Sequence, residues 1–303
     1  MSAWSRSLDA AGIREPGLRS DYGAQRDLVA RFRRSAYLAA RTLLPRPLLP
    51  HVVAATAVMH HGDDLLDTGP KPRRAEAWGG AFRRDVREAL ATGRSTDPMI
   101  RALMHTIGAR PRLRDVVEEY LSTADAELEF TGFADEADYQ AYLDAYSMPA
   151  FLLVGILLAP EGDDGPYRTA CRTLVDGTQR LDFVNDLAED AREGRTGVPA
   201  RTLERFSVTA RDIAAGRASP GVGALVRHQV EAARADLLTA RELPVLTSSP
   251  YSALIGALID IELLTADAAL ARGTGLLRGS AKPPVAGALR VLLGARRRAR
   301  RQR

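Results

Sequence analysis

The stretch Val52-Val-Ala-Ala-Thr-Ala-Val-Met-His-His-Gly-Asp-Asp-Leu-Leu-Asp67 joins an apolar helix pattern to a cluster of carboxylates. Its uncharged first half is typical of a buried helix. Asp63 and Asp67 are four residues apart and share one face of that helix, with Asp64 beside them. Because the C-terminal end of a helix dipole disfavours anions, the cluster costs stability unless cations compensate it. Taken alone, the pattern fits a metal site and a solvated turn equally well.

A second acidic cluster consists of Asp182, Asp186 and Asp190, spaced by four residues. On one continuous helix, two steps of four residues rotate a side chain by only about 80°, so we expect all three to face one way. Phe183 and Val184 between them predict that the opposite face is buried. The alternative is an acidic helix face that is merely exposed to solvent.

The ligand chemistry of the two clusters favours a hard cation. Carboxylate oxygens dominate both, and the single cysteine, Cys171, lies elsewhere. Mg²⁺ fits best, because it binds through one or two carboxylates while substrate phosphates and water complete its octahedron. The predicted Mg²⁺ ligands are Asp63, Asp64, Asp67, Asp182, Asp186 and Asp190.

Cationic and aromatic residues near the clusters predict what such a metal would do. Arg41 precedes the first cluster, and Arg192 and Arg195 follow the second. Cations stabilise the charge that grows on a departing pyrophosphate while an allylic carbocation forms. A carbocation also needs dry apolar or aromatic walls, for which Tyr37 and Tyr146 are candidates.

The composition favours an all-α protein in a reducing compartment. Hydrophobic residues make up 46% of the 303 positions, and Ala and Leu dominate them. One cysteine excludes an internal disulfide framework and a multi-cysteine zinc site. Neither a secretory signal nor a run of about 18 uncharged apolar residues is visible, so we expect a cytoplasmic protein.

The net charge of +4 resides in the last eight residues, 296–303, which contain six arginines. We therefore expect one domain over residues 1–295 and a basic tail over 296–303. The rest of the chain is nearly neutral, and we expect no nucleic-acid partner. The tail is either frayed in solvent or in peripheral contact with an anionic membrane.

Apolar periodicity predicts about eight to ten helices, packed around a central cavity. Proline and glycine residues separate the helical segments. The segments are Asp27–Leu44, Pro50–Asp67, Ala75–Thr92, Leu113–Phe130, Tyr139–Leu158, Tyr167–Glu193, Gly223–Arg241 and Tyr251–Arg272.

The motifs, in this order, resemble those of the squalene and phytoene synthase family. The similar segments are Ala36–Pro45, His60–Asp67, Tyr146–Gly155, Gln179–Asp190 and Gly194–Pro199. The resemblance spans roughly residues 25 to 295. It implies an all-α isoprenoid synthase fold and Mg²⁺-dependent ionisation of a prenyl diphosphate.

The charged residues depart from the pattern of that family at three positions. His60 stands where the family usually has an arginine before the first aspartate pair. Asp182 replaces a usual asparagine, and Asn185 occupies the place of a usual arginine. Because arginine binds phosphate bidentately, we expect a site for one diphosphate and not for two.

The side-chain sizes depart from the pattern as well. Gly197 stands at the position of a usual tyrosine, and Phe151 and Leu152 replace small residues of the central helix. The larger side chains narrow the expected prenyl channel, which favours a chain of about five to fifteen carbons.

We therefore expect an atypical prenyltransferase that passes the prenyl group to a neutral small-molecule acceptor. Similarity to phytoene-synthase-like prenyltransferases implies an aromatic acceptor in secondary metabolism. The predicted catalytic residues are His60 and His61, either of which could accept the released proton, and Tyr146. The predicted substrate-binding residues are Tyr37, Arg41, Phe151, Gln179, Arg192 and Arg195.

Three alternatives stay open. The first is head-to-head condensation of two prenyl diphosphates, as in squalene and phytoene synthases. The second is a terpene cyclase, which ionises one diphosphate without an acceptor. The third is a non-catalytic interaction protein in which the acidic clusters are remnants.

Overall fold

The computed structural model describes residues 2–32 and 34–301, and every regular element in these two stretches is helical. This confirms the all-α prediction. In chain order, the α-helices are α1 (Ala3–Ala10), α2 (Pro16–Phe32), α3 (Arg34–Leu43), α4 (Leu49–Asp67), α5 (Lys71–Ala75), α6 (Arg83–Thr92), α7 (Pro98–Ala109), α8 (Leu113–Thr123), α9 (Asp125–Leu128), α10 (Glu136–Tyr142), α11 (Met148–Gly155), α12 (Gly165–Asn185), α13 (Leu187–Arg192), α14 (Ala200–Arg205), α15 (Ala210–Ala214), α16 (Pro220–Thr239), α17 (Leu243–Leu246), α18 (Ser252–Arg272) and α19 (Val285–Arg301). Two π-helical segments, Glu76–Phe82 and Leu143–Ser147, lead into α6 and α11.

A helix predicted as continuous is interrupted within the described residues. The predicted segment Asp27–Leu44 covers the end of α2 and all of α3, and Arg33 between them lies outside the described residues. The segment Tyr167–Glu193 divides into α12 and α13 at Asp186. This interruption matters for the site, because it falls at the middle aspartate of the second cluster.

The first compact unit comprises Met1–Glu129 and Pro149–Ala159. Helices α2, α4 and α7 pack against one another within it. Helix α4 is buried from Leu49 to Ala55, as its uncharged sequence predicts, and Asp63, at its other end, is exposed. Burial of the apolar half fixes the helix, and the acidic half reaches the surface of the unit.

The second compact unit comprises Phe130–Met148 and Pro160–Arg303. Helix α12 packs along α16, and α18 packs against both α16 and α19. Helix α19 begins at Val285 and includes the arginines from Arg296 to Arg301. The boundary predicted at residue 296 therefore falls inside a helix, and the basic segment continues that helix.

The helical run Glu136–Leu158 is long and apolar enough to cross a membrane, with a mean hydropathy of 1.6 over its best window. The sequence does not predict such a run, because Asp144 interrupts its uncharged residues. Within that window, 61% of the residues are buried inside the protein. A buried core helix passes the same test of length and composition, so this one helix is weak evidence for a membrane span.

A buried polar cluster joins α2, α4 and α7 in the first unit. The hydroxyl of Tyr22 lies 2.7 Å from Thr106 Oγ1, 3.0 Å from His105 Nδ1 and 3.4 Å from His51 Nδ1. Burial lowers the pKa of His51 to about 4, and the nearby Arg110 adds to this effect. Burial also lowers the pKa of His105. Folding therefore favours the neutral imidazoles.

We expect this cluster to make the stability depend on pH. A folded-state pKa near 4 lies below the ordinary value of 6.5, so the stability that His51 contributes is present above pH 6.5 and is lost as the pH falls towards 4. Between pH 7 and pH 5 the loss from His51 amounts to about 2 kcal/mol. Urea unfolding at both pH values should show a smaller loss for His51→Asn. The control His228→Asn, at a half-buried histidine outside this cluster, should behave like the wild type, and equal losses in all three proteins would contradict this explanation.

Candidate functional site

The first acidic cluster lines a depression of about 370 Å³ in the first unit. The end of α2 and the end of α4 form it. Its lining residues are Leu28, Arg31, Phe32, His60, His61, Asp63, Asp64, Asp67 and Thr68. The structure thus brings all three aspartates of the cluster to one depression, together with both histidines predicted as catalytic.

A close approach to Gly62 holds the acidic end of α4 in place. A Cβ atom at this position would overlap the hydroxyl of Tyr120 and lie 3.3 Å from Cζ3 of Trp78. Trp78 in turn donates from Nε1 to Asp125 Oδ1 at 3.1 Å. Because Gly62 lies directly before Asp63, this packing sets the direction in which the aspartates point.

The charge of the depression is predominantly negative. Among its lining residues, all within the described chain, Arg31 alone carries a permanent positive charge. Its guanidinium lies 5.2 Å from the ring centroid of Phe32, which is 62% exposed. Thr68 donates from Oγ1 to Asp64 Oδ1 at 3.1 Å. An exposed ring beside a cation and three carboxylates suits a ligand with an apolar part and a metal-bound anionic part.

The two histidines of the depression differ in their surroundings. His61 is half-buried, and its ring meets the edge of Phe82 with the centroids 5.1 Å apart. Burial lowers the pKa of His61, while the carboxylates of Asp97 and Asp64 act in the opposite direction. His60 is half-buried and lines the same depression.

Tyr37 and Arg41, predicted to bind substrate, lie one turn apart on α3. Tyr37 is buried and Arg41 is exposed, and neither lines the depression at the first cluster. Sequence analysis missed Arg31 and Phe32, which do line it. The spacing of Leu28, Arg31 and Phe32 places them on one face of α2. This shared face is the sequence feature from which Arg31 and Phe32 could have been proposed as site residues.

The second acidic cluster lies at the junction of α12 and α13 in the second unit. Asp182 is in the last turn of α12, Asp186 separates the two helices, and Asp190 is in α13. Asp182 and Asp186 are exposed, and Asp190 is half-buried. The three aspartates therefore do not lie on one continuous helix as predicted.

Residues of a distant loop hold this junction. The buried side chain of Asn185 accepts a hydrogen bond from the backbone N–H of Ala281 at 2.9 Å. Ser280 donates from Oγ to Asp186 Oδ1 at 3.0 Å. These bonds stop α12 at Asn185 and fix the orientation of the middle carboxylate.

The polar residues before the second cluster are engaged with α10 and its continuation. Arg180 is buried and pairs with Glu136 at 2.5 Å and with Asp176 at 3.1 Å. Its guanidinium lies 4.4 Å from the ring centroid of Tyr139. Gln179, predicted to bind substrate, accepts a hydrogen bond from Ser147 Oγ at 3.0 Å. Arg180 therefore has a structural role, in which its charge is paired with Glu136 and Asp176.

The arginines after the second cluster are closer to the surface. Arg192, which is exposed, donates to the carbonyl of Leu277 at 3.3 Å. Arg195 pairs with Glu193 at 3.0 Å, and the Glu193 side chain is 56% exposed. A pair this exposed contributes little to stability, so a phosphate could compete for Arg195.

Aromatic rings surround Phe183, next to Asp182. The ring of Phe130 lies 4.8 Å from that of Phe133, 5.2 Å from that of Tyr142 and 5.9 Å from that of Phe183, between centroids. Tyr146, predicted as catalytic, is buried and extends this cluster with its ring 5.7 Å from that of Tyr142. The second unit thus contains a packed aromatic cluster next to Asp182.

Phe151 belongs to the first unit and lies half-buried on α11. Its ring covers Gly155, where an added Cβ would lie 2.9 Å from Phe151 Cε1. Leu152 beside it is buried. Two large side chains, Phe151 and Leu152, thus lie on α11 beside Gly155.

The carboxylates of the first cluster suit Mg²⁺ by their chemistry. In the described part of the chain, no group of three or more His, Cys, Asp or Glu side chains is placed to hold a metal ion by itself. Mg²⁺ does not require one, because it uses one or two carboxylates and takes its other ligands from phosphate and water. Exposed aspartates along one depression meet that requirement.

Comparison with known proteins agrees with this architecture. The sequence model of the squalene/phytoene synthase family matches residues 29–297. The bifunctional protein CrtB/UppS of Streptomyces coelicolor is 27% identical over 220 residues, which is 72% of this chain. The chain spans only 38% of the length of that relative.

Solved structures share the fold. Squalene synthase HpnC from Alicyclobacillus acidocaldarius superposes with a TM-score of 0.74 at 23% identity, covering 89% of this chain and 99% of its own. A dehydrosqualene synthase solved with a ligand gives a TM-score of 0.82 at 17% identity, covering 94% and 98%. The family match covers most of the sequence, and the chain therefore belongs to the squalene/phytoene synthase family of prenyltransferases.

Proposed function

We propose that this chain ionises one allylic prenyl diphosphate and transfers the prenyl group to a neutral acceptor, with an aromatic ring as the favoured class. The environment of Asn185 is the observation that carries the proposal. Asn185 stands where related proteins usually have an arginine, and its buried amide accepts the N–H of Ala281. This position therefore clamps the backbone and offers phosphate no guanidinium.

The first cluster shows the same loss of cationic ligands. His60 stands at the other position where an arginine is usual, and it lines the depression beside Asp63. Bidentate binding of phosphate is a property of the guanidinium group, which neither asparagine nor histidine supplies. Head-to-head coupling requires two bound diphosphates. The loss of two cations therefore favours a site for one.

Mg²⁺ is the metal that we propose for both clusters. When bound, it would neutralise the diphosphate and stabilise the departing pyrophosphate. The carboxylates of Asp63, Asp64 and Asp67 would bind it in the first unit. Those of Asp182, Asp186 and Asp190 would do so in the second. Arg31 offers the first cluster a guanidinium for a phosphate oxygen.

Head-to-head condensation is the second candidate function. Solved proteins of the same fold include a squalene synthase and a dehydrosqualene synthase, which favours this reaction. Against it stand Phe151 and Leu152, which add side-chain volume where related proteins have small residues. We therefore rank condensation of two long prenyl chains second.

Incubation with Mg²⁺ and prenyl diphosphates, followed by mass spectrometry, tests the proposal. We expect a prenylated product only when a diphosphate of about five to fifteen carbons and an aromatic acceptor are both supplied. The chain without Mg²⁺ and the variant Asp63→Asn serve as controls.

Other products would overturn the proposal in distinct ways. A head-to-head hydrocarbon from one diphosphate alone would establish the second candidate, and a cyclic hydrocarbon would identify a terpene cyclase. A melting temperature that does not rise with Mg²⁺ and pyrophosphate would favour a non-catalytic protein, since a ligand of the folded state must stabilise it.

A further inference from the structure

Helix α19 has one face packed on the protein and one face in solvent. Ala295 and Ala299 are buried on the packed face, which lies against α18. On the other face, Val285 is 76% exposed, Leu289 is 55% exposed and Leu293 is 56% exposed. A row of large apolar side chains on the surface of a helix indicates a surface that binds something.

The three exposed residues form one stripe. They are four residues apart, so each lies one turn beyond the last on the same side of the helix. Arg296 and Arg300 continue this stripe, because eleven residues make about three full turns from Val285. The exposed face is thus apolar in its first half and basic in its second.

The charge of this segment has one sign. Residues 285–303 contain seven arginines and no acidic residue. In the part of the chain that the structure describes, none of the arginines of α19 forms an ion pair with a carboxylate. Their charges are therefore available to an external anionic partner.

We infer that α19 docks the protein on an anionic lipid surface. Apolar residues on the exposed face of an amphipathic helix enter the boundary between headgroups and acyl chains, and arginines bind the lipid phosphates. A nucleic acid would use the arginines but would leave Val285, Leu289 and Leu293 in water. A second copy of the chain would bring two sets of arginines together, and their positive charges would repel one another. A membrane surface satisfies both halves of the face, independently of the reaction that the enzyme catalyses.

Sedimentation with vesicles of phosphatidylcholine and phosphatidylglycerol tests the inference. The full chain should bind vesicles that contain about 30% phosphatidylglycerol and should not bind pure phosphatidylcholine. Leu289→Gln with Leu293→Gln should weaken binding about tenfold. Arg296→Glu with Arg297→Glu and Arg300→Glu should weaken it by more than about tenfold.

Matched controls separate this surface from general charge and hydrophobicity. Arg87→Glu with Arg211→Glu and Arg227→Glu makes the same charge change at exposed sites on other helices, and Val245→Gln removes an apolar residue that is 86% exposed. Both controls should bind like the wild type. Circular dichroism would verify that every variant is folded.

Three results would overturn the inference. The first is no binding to anionic vesicles. The second is unchanged binding after the leucine substitutions, which would reduce the effect to charge alone. The third is another partner for the exposed face of α19. This partner would be a second copy of the chain, in a dimer that buries the face, or a DNA duplex that binds with equal affinity at the same ionic strength.

Discussion

Replacing Asp63 by asparagine is expected to lower kcat/KM for prenyl transfer by about 10²–10³-fold. Asp63 lies in the depression of the first unit, where it would bind the metal that neutralises the diphosphate. The substitution keeps the size of the side chain and removes its charge. Initial rates with a prenyl diphosphate, measured over a range of Mg²⁺ concentrations, should show that the variant needs more metal.

The stability of the same variant distinguishes a functional residue from a structural one. Asp63 is exposed, and its neighbours Asp64 and Asp67 carry the same charge. The free energy of unfolding should therefore change by less than about 0.5 kcal/mol. Asp115→Asn, an exposed substitution on α8, is the matched control and should leave both activity and stability nearly unchanged. Wild-type activity in Asp63→Asn would remove this carboxylate from the proposed metal site.

The sequence predicted α4 well because its information is local. Apolar residues from Val52 to Val58 are buried as their periodicity indicated, and the predicted segment Pro50–Asp67 differs from the helix by one residue at its start. The grouping of Asp63 and Asp67 along one depression follows from the same helical spacing.

The break at Asp186 could not be predicted because its cause is distant in sequence. The side chain that ends α12 is Asn185, and its partner Ala281 lies 96 positions later. No local pattern of apolar residues records such a bond. For this reason the predicted continuous helix through the three aspartates is wrong.

Arg31 and Phe32, beside the first cluster, could not be assigned to the site from local sequence either. Their spacing placed them on one face of α2, but only tertiary packing determines that this helix end lies beside the end of α4. Arg41 carries the same charge ten positions later, and composition gives no means to choose between the two. The aspartates could be named from sequence, whereas the cation beside them could not.

Gly197 and Phe183 pack against each other, and the residue at either position alone does not predict this contact. Both are buried, and a Cβ atom on Gly197 would overlap Cγ and Cδ1 of Phe183. Related proteins usually have a tyrosine at the position of Gly197. In this chain the ring of Phe183 fills the space directly above the glycine. A larger side chain at this position would meet the ring of Phe183, so the glycine and the phenylalanine fit together only as this pair.

Replacing Gly197 by alanine is expected to destabilise the protein by about 1–3 kcal/mol, because the added methyl group displaces the ring of Phe183 from a packed cluster. Denaturant unfolding measures this, and Gly23→Ala is the matched control. Gly23 lies within α2, and a Cβ added to it would meet open space, so alanine there should stabilise by about 0.5–1 kcal/mol. In the double variant Gly197→Ala with Phe183→Ala, the methyl group no longer meets a ring. The combined loss should therefore be smaller than the sum of the single losses by about 0.5–3 kcal/mol. Strict additivity would mean that Gly197 is retained for a reason other than its contact with Phe183.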